Sequence, residues 1–263
     1  MLRRTLLAAL LAATSLTAQE RKTDDSFKWN GTVASGRSVY VRNMNGGVTV
    51  EAGTGDQAEV RAVKRWRRGD PSEVKVTAEK TSSGDVLVCV IWEDRRTRCD
   101  ESGYSSRTRD DDWSDRDDVS VHVTVRLPKG VKVDATTVNG GITIEGATAE
   151  VRARTVNGGI EAGSTGGPVI ARTTNGGIKV RAGTLGTGDL DYSTVNGGIT
   201  LELDGDANAD FDARTVNGSI STDFPVTIQG NFRRNQLAGR LGKGGPRLSL
   251  RTVNGSIQLR KLP

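Results

Sequence analysis

Apolar and polar residues alternate in a fixed order around a repeated tetrapeptide, Thr-Val-Asn-Gly, along most of this chain. Complete copies begin at Thr137, Thr155, Thr194, Thr215 and Thr252. Two degenerate copies begin at Asn43 and Thr173. Asn139 and Asn157 lie 18 residues apart, and Asn196 and Asn217 lie 21 residues apart. A repeat period of this kind is typical of stacked arrays in which each unit packs only on its neighbours.

The residues before each tetrapeptide predict a strand with one buried face, because apolar side chains occupy every second position. The positions four residues before the motif hold Val39, Val133, Val151, Val169, Leu190, Phe211 and Leu248. The positions two residues before it hold Val41, Ala135, Ala153, Ala171, Tyr192, Ala213 and Leu250. After the motif, Ile142 and Ile144 begin a similar pattern, which predicts a second short strand in each unit.

The Asn-Gly pair between these strands allows two interpretations. It is the common turn of a two-residue β-hairpin, or it is a corner in a coil of a β-solenoid. The uniform period favours an all-β solenoid with 18–21-residue coils and three short sides per coil. Stacked coils would align the asparagines in a hydrogen-bonded ladder, and glycine would supply a positive φ at the corner. The predicted ladder comprises Asn45, Asn139, Asn157, Asn175, Asn196, Asn217 and Asn254.

Two longer intervals interrupt the period. The interval from Asn217 to Asn254 is close to two coils, which predicts a coil without the motif near 229–240. The interval before Asn139 contains apolar stretches that predict less regular strands. These stretches are 58–63, 74–78, 86–92 and 119–127. Residues 93–118 carry many charges and almost no apolar side chains, so we expect a mobile loop there.

The N-terminus has the order of a secretory signal peptide, with Arg3 and Arg4, an apolar run and a candidate cleavage site after Ala18. We therefore expect 1–18 to be removed and 19–263 to form an exported β-solenoid domain that is periplasmic, at the cell surface or secreted. No later segment is apolar for long enough to predict a transmembrane helix. Export also favours a disulfide between Cys89 and Cys99 over two free thiols.

Several segments together resemble the DUF4097 adhesin family. They are Val119-Ser-Val-His-Val-Thr-Val-Arg-Leu-Pro128, Gly130-Val131-Lys132-Val133 and the iterated Thr-Val-Asn-Gly-Gly-Ile. The resemblance covers residues 38–262, and auto-transporter adhesin head domains look similar. It implies an exported, right-handed single-stranded β-helix and supplies no catalytic residues. The charged segment 93–118 is an addition to the usual pattern of the family.

Five of the seven copies carry arginine directly before the motif, where the alternation points the side chain outward. These residues are Arg42, Arg154, Arg172, Arg214 and Arg251. Stacked coils would align them in a stripe beside the asparagine ladder, and guanidinium groups bind carboxylate, sulfate or phosphate. An anionic polysaccharide of the envelope is therefore one expected ligand. The alternative is a solvated face whose charge is neutralised by Asp134, Asp191 and Asp212.

Other charged clusters give weaker signals. Basic residues surround Trp66, but export argues against a nucleic-acid partner, and charges of this kind also protect edge strands. The aspartate run over 110–118 lacks the ordered spacing of a calcium-binding loop. His122 is the only histidine and lies on the polar phase of its strand, so we expect it to be exposed. We predict no metal centre, no cofactor and no catalytic triad.

The net charge of +5 is too mild to predict nucleic-acid binding, and the low aromatic content, 4%, suits a narrow stack of strands. We predict a non-catalytic, adhesin-like binding or scaffold module at the cell envelope, with polysaccharide or another surface protein as its partner. One alternative is a purely structural envelope domain. Another is a polysaccharide-active lyase or hydrolase, for which many carboxylates exist but no pair stands out. These carboxylates are Asp189, Asp191, Asp204, Asp206, Asp210 and Asp212.

Overall fold

The chain folds into two large β-sheets whose inner faces share one apolar core. The computed structural model describes residues 21–93, 95–108, 118–164, 167–182, 185, 188–228 and 235–262. The predicted signal peptide lies outside these residues. Each coil that carries the motif contributes one strand to each sheet, which confirms the predicted β-solenoid. The coil has two sides and not the expected three, because two strands and two corners use up the whole period.

The first sheet has ten strands in the described part of the chain, and the second has eleven. In spatial order, the first sheet contains β1 (Lys22–Thr32), β4 (Gln57–Trp66), β9 (Ser120–Leu127), β3 (Val48–Ala52), β11 (Ile142–Ala147), β13 (Ile160–Ser164), β15 (Ile178–Ala182), β17 (Ile199–Leu203), β23 (Ile257–Lys261) and β19 (Ile220–Thr222). The second sheet contains β20 (Val226–Ile228), β21 (Gln236–Leu241), β18 (Ala209–Asn217), β22 (Arg247–Asn254), β16 (Leu190–Ser193), β14 (Val169–Arg172), β12 (Val151–Arg154), β10 (Lys132–Thr136), β2 (Ser38–Arg42), β6 (Val86–Trp92) and β5 (Val74–Lys80).

Parallel pairing keeps equivalent residues of successive coils in register, so the core consists of columns of like side chains. In the first sheet, Ile142 pairs with Ile160, and Ile160 pairs with Ile178. All three side chains are buried. Burying one such side chain contributes about 1.5–3 kcal/mol relative to leaving it exposed. These columns therefore supply much of the free energy that holds the two sheets together.

The last coil of the chain is not the last coil of the stack. Strand β22 lies between β16 and β18, and β23 lies between β17 and β19. The prediction of a coil without the motif near 229–240 is therefore wrong. Within the described part of that interval, β21 pairs antiparallel with β18. The long interval arises because the chain forms the outermost coil first and then returns one place inward.

Antiparallel strands flank both ends of the parallel stack. At one end, β4 and β1 extend the first sheet beyond β9, and β5 extends the second sheet beyond β6. At the other end, β21 and β20 extend the second sheet. Of the four less regular strands predicted before Asn139, 58–63 and 74–78 lie in the end strands β4 and β5, whereas 86–92 and 119–127 form β6 and β9, which pair parallel with β2 and β3. The antiparallel end strands give the repeat array its terminal caps, which stacked repeats need at their open ends.

Residues 95–108 form an antiparallel hairpin, β7 (Arg95–Asp100) with β8 (Gly103–Thr108), where the charge pattern predicted a mobile loop. A disulfide joins Cys99 in this hairpin to Cys89 in β6, with the two Cα atoms 6.2 Å apart. The covalent link fixes a polar segment that has no apolar core of its own. Residues 109–117 of the predicted loop lie outside the described residues.

Two contacts between successive coils explain the tetrapeptide. Thr155 Oγ1 donates a hydrogen bond to the carbonyl oxygen of Gly140 at 2.8 Å, and Thr173 Oγ1 donates to that of Gly158 at 2.9 Å. Gly158 does not have the positive φ that we expected at the corner. Instead, a Cβ atom on Gly158 would overlap the carbonyl oxygen of Gly140. The corner requires glycine because the backbones of successive coils touch there.

Candidate functional site

Arginines on the outer face of the second sheet form a row across successive strands. The aligned residues are Arg154, Arg172, Ser193, Arg251 and Arg214 in spatial order. Neighbouring strands lie about 4.8 Å apart, so the row from Arg154 to Arg214 spans about 19 Å. We call Arg154, Arg172, Arg251 and Arg214 the arginine row. Four of the five arginines predicted as a stripe thus share one surface.

Each member of the arginine row has an aspartate nearby, yet 40–54% of its side chain is exposed. The pairs are Arg154 with Asp134 at 3.3 Å, Arg172 with Asp191, Arg214 with Asp212 at 2.9 Å and Arg251 with Asp191 at 3.9 Å. The aspartates considered in the alternative interpretation are therefore in place. They leave several N–H donors of each guanidinium group accessible, because one guanidinium carries five donors.

Arg42 departs from the predicted stripe because its side chain is only 1% exposed. Its guanidinium group donates to the Asp134 carboxylate at 2.8 Å. It also donates to the backbone carbonyl oxygens of Asp100 and Glu101, at 3.2 and 2.6 Å. The ring of Tyr40 lies 5.2 Å from the guanidinium carbon. The prediction that Arg42 faces solvent is wrong, since the tip of the β7–β8 hairpin covers it.

The asparagine side chains form a hydrogen-bonded ladder at the corner of the coils. In each pair, Nδ2 of one residue donates to Oδ1 of the residue in the adjacent coil, at 2.7–2.8 Å. In spatial order the ladder contains Asn139, Asn157, Asn175, Asn196, Asn254 and Asn217. Asn45 donates instead to the carbonyl oxygen of Val119 at 2.7 Å. Most of these side-chain amides hydrogen-bond to one another, so the ladder stiffens the edge of the surface that carries the arginine row.

Exposed valines lie between the arginine row and the asparagine ladder. Among the described residues, the large hydrophobic side chains that are exposed are Val156, Val195, Val253 and Val216. All four are the second residue of the motif, and we call them the valine row. Thr174 takes the equivalent position in the degenerate copy. These valines are not among the predicted site residues, although the alternation that points the arginines outward also points the valines outward.

The outer face of the first sheet carries charges of both signs. Its aligned outward residues are Thr49, Thr143, Glu161, Lys179, Thr200 and Gln258. Glu202 contacts Lys179 at 3.4 Å and Arg181 at 2.8 Å. The hydrogen bond from Arg181 is the main reason that the pKa of Glu202 is lowered. This face lacks the repeated basic residues of the second sheet and is a weaker candidate for an anionic ligand.

Other groups with catalytic or metal-binding chemistry do not converge in the described part of the chain. There, no three His, Cys, Asp or Glu side chains are placed to hold a metal ion. His122 is partly buried and not exposed as expected, because its Nε2 atom lies 3.0 Å from Thr49 Oγ1 on the adjacent strand. Burial, followed by the charge of Arg65, lowers the pKa of His122.

The basic segment after Trp66 is folded onto one aspartate of the predicted acidic run. The Asp118 carboxylate accepts hydrogen bonds from the backbone N–H groups of Arg67, Arg68 and Gly69 at 3.0–3.2 Å. The bonds from Gly69 and Arg68 are the largest of the effects that lower the pKa of Asp118 to about 2. Asp118 therefore has a local structural role, and residues 110–117 of the run lie outside the described residues.

One family model and several solved structures match this chain. The model described as Toastrack DUF4097 matches residues 22–260. A candidate cell adhesion protein from Clostridium sporogenes ATCC 15579 is 9% identical, with a TM-score of 0.43 over 91% of this chain and 100% of that one. A candidate adhesin from Bacteroides fragilis NCTC 9343 is 12% identical, with a TM-score of 0.39 over 93% of this chain and 99% of that one. No curated protein matches the chain.

Proposed function

The chain belongs to the Toastrack DUF4097 family, and from this premise we propose that it is an adhesin-like, non-catalytic binding module. In this proposal it is exported, acts at the cell envelope and binds anionic polysaccharide along the arginine row. The observation that carries the proposal is the alignment of four half-exposed arginines on one face of a rigid stack. Among the described residues, no helix is long and apolar enough to cross a membrane.

The ion pairs of the arginine row leave room for a ligand. The aspartate side chains are only 13–25% exposed and stay in place, so a carboxylate or sulfate of a ligand would bind the N–H donors that each guanidinium group keeps accessible. The four exposed arginines of the row face three aspartates, Asp134, Asp191 and Asp212, and Asp134 also pairs with the buried Arg42. The surface therefore keeps a net positive charge. A polymer with repeated anionic groups would engage several guanidinium groups at once, which raises its overall affinity.

A titration of the purified chain with polygalacturonate and with neutral dextran, at low and high salt, tests this proposal. We expect binding to polygalacturonate alone and weakening by salt, because ions screen contacts between exposed charges. The variant Arg154→Gln/Arg172→Gln/Arg214→Gln/Arg251→Gln should bind at least about tenfold more weakly, since four contacts of about 0.5–1 kcal/mol are lost.

A matched control removes the same number of charges from the first sheet. This control is Lys28→Gln/Arg61→Gln/Arg181→Gln/Arg260→Gln, and it should bind polygalacturonate as well as the original chain. Equal losses in both variants would mean that net charge alone drives binding. No binding to any polymer would leave a purely structural role, and release of new sugar chain ends during incubation would contradict a non-catalytic role.

A further inference from the structure

One end of the arginine row borders a recess that is lined by Arg214 and Arg251 and not by Arg154 or Arg172. The recess has a volume of about 410 Å³ and lies where β18, β22 and β16 meet the beginning of β21. Its wall includes Ser193, Arg214, Val216, Asn235, Arg251 and Val253. The backbone N–H of Thr215 donates to the carbonyl oxygen of Asn235 at 3.0 Å, so β18 holds this side of the wall in place.

Two guanidinium groups supply the positive charge of the recess. Arg214 and Arg251 are direct partners on adjacent parallel strands. Arg214 is bound by Asp212 of its own strand at 2.9 Å, whereas Arg251 has a looser contact with Asp191 at 3.9 Å. Ser193 takes the next position in the row, where an arginine would fill the space. The short serine side chain opens the recess beside two accessible cations.

Two valines supply an apolar wall next to these cations. Val216 is 64% exposed and Val253 is 38% exposed. Each follows its arginine by two residues on the same face of a strand, about 7 Å further along. Exposed aliphatic side chains gain free energy when a ligand covers them. A ligand that fits this recess therefore carries an anionic group and a small apolar group a short distance apart.

The other end of the arginine row provides an internal comparison. Arg154 and Arg172 are also direct partners on adjacent strands. Val156 and Thr174 follow them at the positions equivalent to Val253 and Val216. The recess wall that includes Asn235 contains Arg214 and Arg251 and neither Arg154 nor Arg172. The two arginine pairs thus differ in their surroundings while their charges are the same.

We propose that this recess recognises an acidic sugar unit that bears an acyl group, such as an N-acetyl group. The carboxylate of the sugar binds Arg214 and Arg251, and the acyl methyl packs against Val216 and Val253. The amide of Asn235 exchanges hydrogen bonds with the polar groups of the same sugar unit. This inference rests on the proposed function, and it names the class of polymer that the arginine row takes.

Three oligosaccharides of equal length separate the two requirements. Oligomers of N-acetylneuraminic acid carry both the carboxylate and the acyl group, oligogalacturonate carries only the carboxylate, and N-acetylglucosamine oligomers carry only the acyl group. Titration calorimetry with the full chain should give the tightest binding for the first, about fivefold tighter than oligogalacturonate. N-acetylglucosamine oligomers should bind the most weakly.

Two pairs of substitutions test the assignment of the recess. Val216→Thr/Val253→Thr keeps β-branched side chains on both strands and should abolish the preference for the acylated acid while retaining oligogalacturonate binding. Arg214→Gln/Arg251→Gln should weaken binding of the acylated acid more than Arg154→Gln/Arg172→Gln does. Circular dichroism of all variants checks that the fold is retained.

The outcomes distinguish this inference from the proposed function. If both acidic oligomers bind with equal affinity and lose binding at high salt, the recess inference is overturned and the arginine row remains a polyanion surface. The recess inference is also overturned if the threonine variant keeps the preference, or if the two arginine pairs have equal effects. If neither acidic oligomer binds, the proposed function and the inference fail together.

Discussion

The corner of each coil is stabilised by contacts between individual atoms of successive coils. A hydroxyl group such as that of Thr155 satisfies a glycine carbonyl oxygen that would otherwise point into the corner unpaired. The glycine beside it leaves room for that carbonyl oxygen. At this scale the motif is a set of contacts between backbones, and its recurrence from coil to coil within the chain follows from the stacking.

Gly158→Ala should destabilise the protein by about 1–3 kcal/mol, because the new methyl group overlaps the Gly140 carbonyl oxygen and forces the coils apart. Urea denaturation followed by circular dichroism measures the change. Gly205→Ala is the matched control, since a Cβ atom there meets no atom within 4 Å. Equal stability of the two variants would show that the coils do not approach as closely as the structure indicates.

His122 should make stability depend on pH in a defined direction. Burial, then Arg65, lowers its pKa below the ordinary value of 6.5, so the folded protein favours the neutral ring. The contribution of the neutral ring is complete above pH 6.5 and is lost as the pH falls through the lowered pKa. The original chain should therefore lose more stability than His122→Gln between pH 7.5 and pH 5, as measured by urea midpoints. Parallel pH curves for both proteins would refute this.

The β7–β8 hairpin acts as a separate element fastened to the outer face of the second sheet. In addition to the disulfide with Cys89, Tyr104 Oη donates to the carbonyl oxygen of Val90 at 2.9 Å. The guanidinium group of the buried Arg42, on the second sheet, also donates hydrogen bonds to two backbone carbonyl oxygens at the tip of the hairpin. The hairpin thus decides which arginines of the predicted stripe reach solvent, and it leaves only the arginine row exposed.

Replacing both cysteines by serine should loosen this hairpin without unfolding the solenoid. A disulfide contributes about 2–4 kcal/mol, so local opening should increase at least about tenfold. Trypsin cleavage after the exposed Arg98 reports the opening, and hydrogen exchange in β12 and β14 serves as the internal control. Unchanged cleavage would mean that Arg42 and Tyr104 hold the hairpin without the disulfide.

At the scale of the whole molecule, the last coil of the chain is inserted between the two coils that precede it in sequence. The outermost coil therefore depends on the last coil for its attachment to the stack. The parallel partner of β18 is β22, which follows β18 in the chain only after β19, β20 and β21. An array with coils in chain order would tolerate loss of its last coil, because each repeat contacts only its neighbours. Here the same loss removes a coil from inside the stack.

Ending the chain after Pro246 should therefore unfold β18 and β21 as well as delete β22 and β23. Hydrogen exchange in β18 should rise to the level of an unfolded chain, while β12 and β14 stay protected. A chain ending at Leu262 is the control and should behave like the original protein. Persistent protection of β18 would show that the outer coil can move inward and pair with β16 on its own.

Much of the candidate site follows from patterns within one coil. The alternation around each motif places Val, Ile and Leu inward and the arginines and valines outward, whatever coil lies next to them. The asparagine ladder also follows, since any stack of equal coils aligns equivalent residues. These features depend on a period of two within strands and on the coil length, and both can be read from neighbouring residues.

The sequence by itself therefore determined the solenoid class, the strand faces and the columns of like residues. Only the tertiary structure decided the order of the coils, because the motif at Thr252 is the same as the others and no local signal assigns it a place. It also decided that Arg42 is buried and that corner glycines such as Gly158 are needed for close approach rather than for positive φ. Each of these outcomes depends on which distant segment lies alongside, and residues within one coil do not encode that choice.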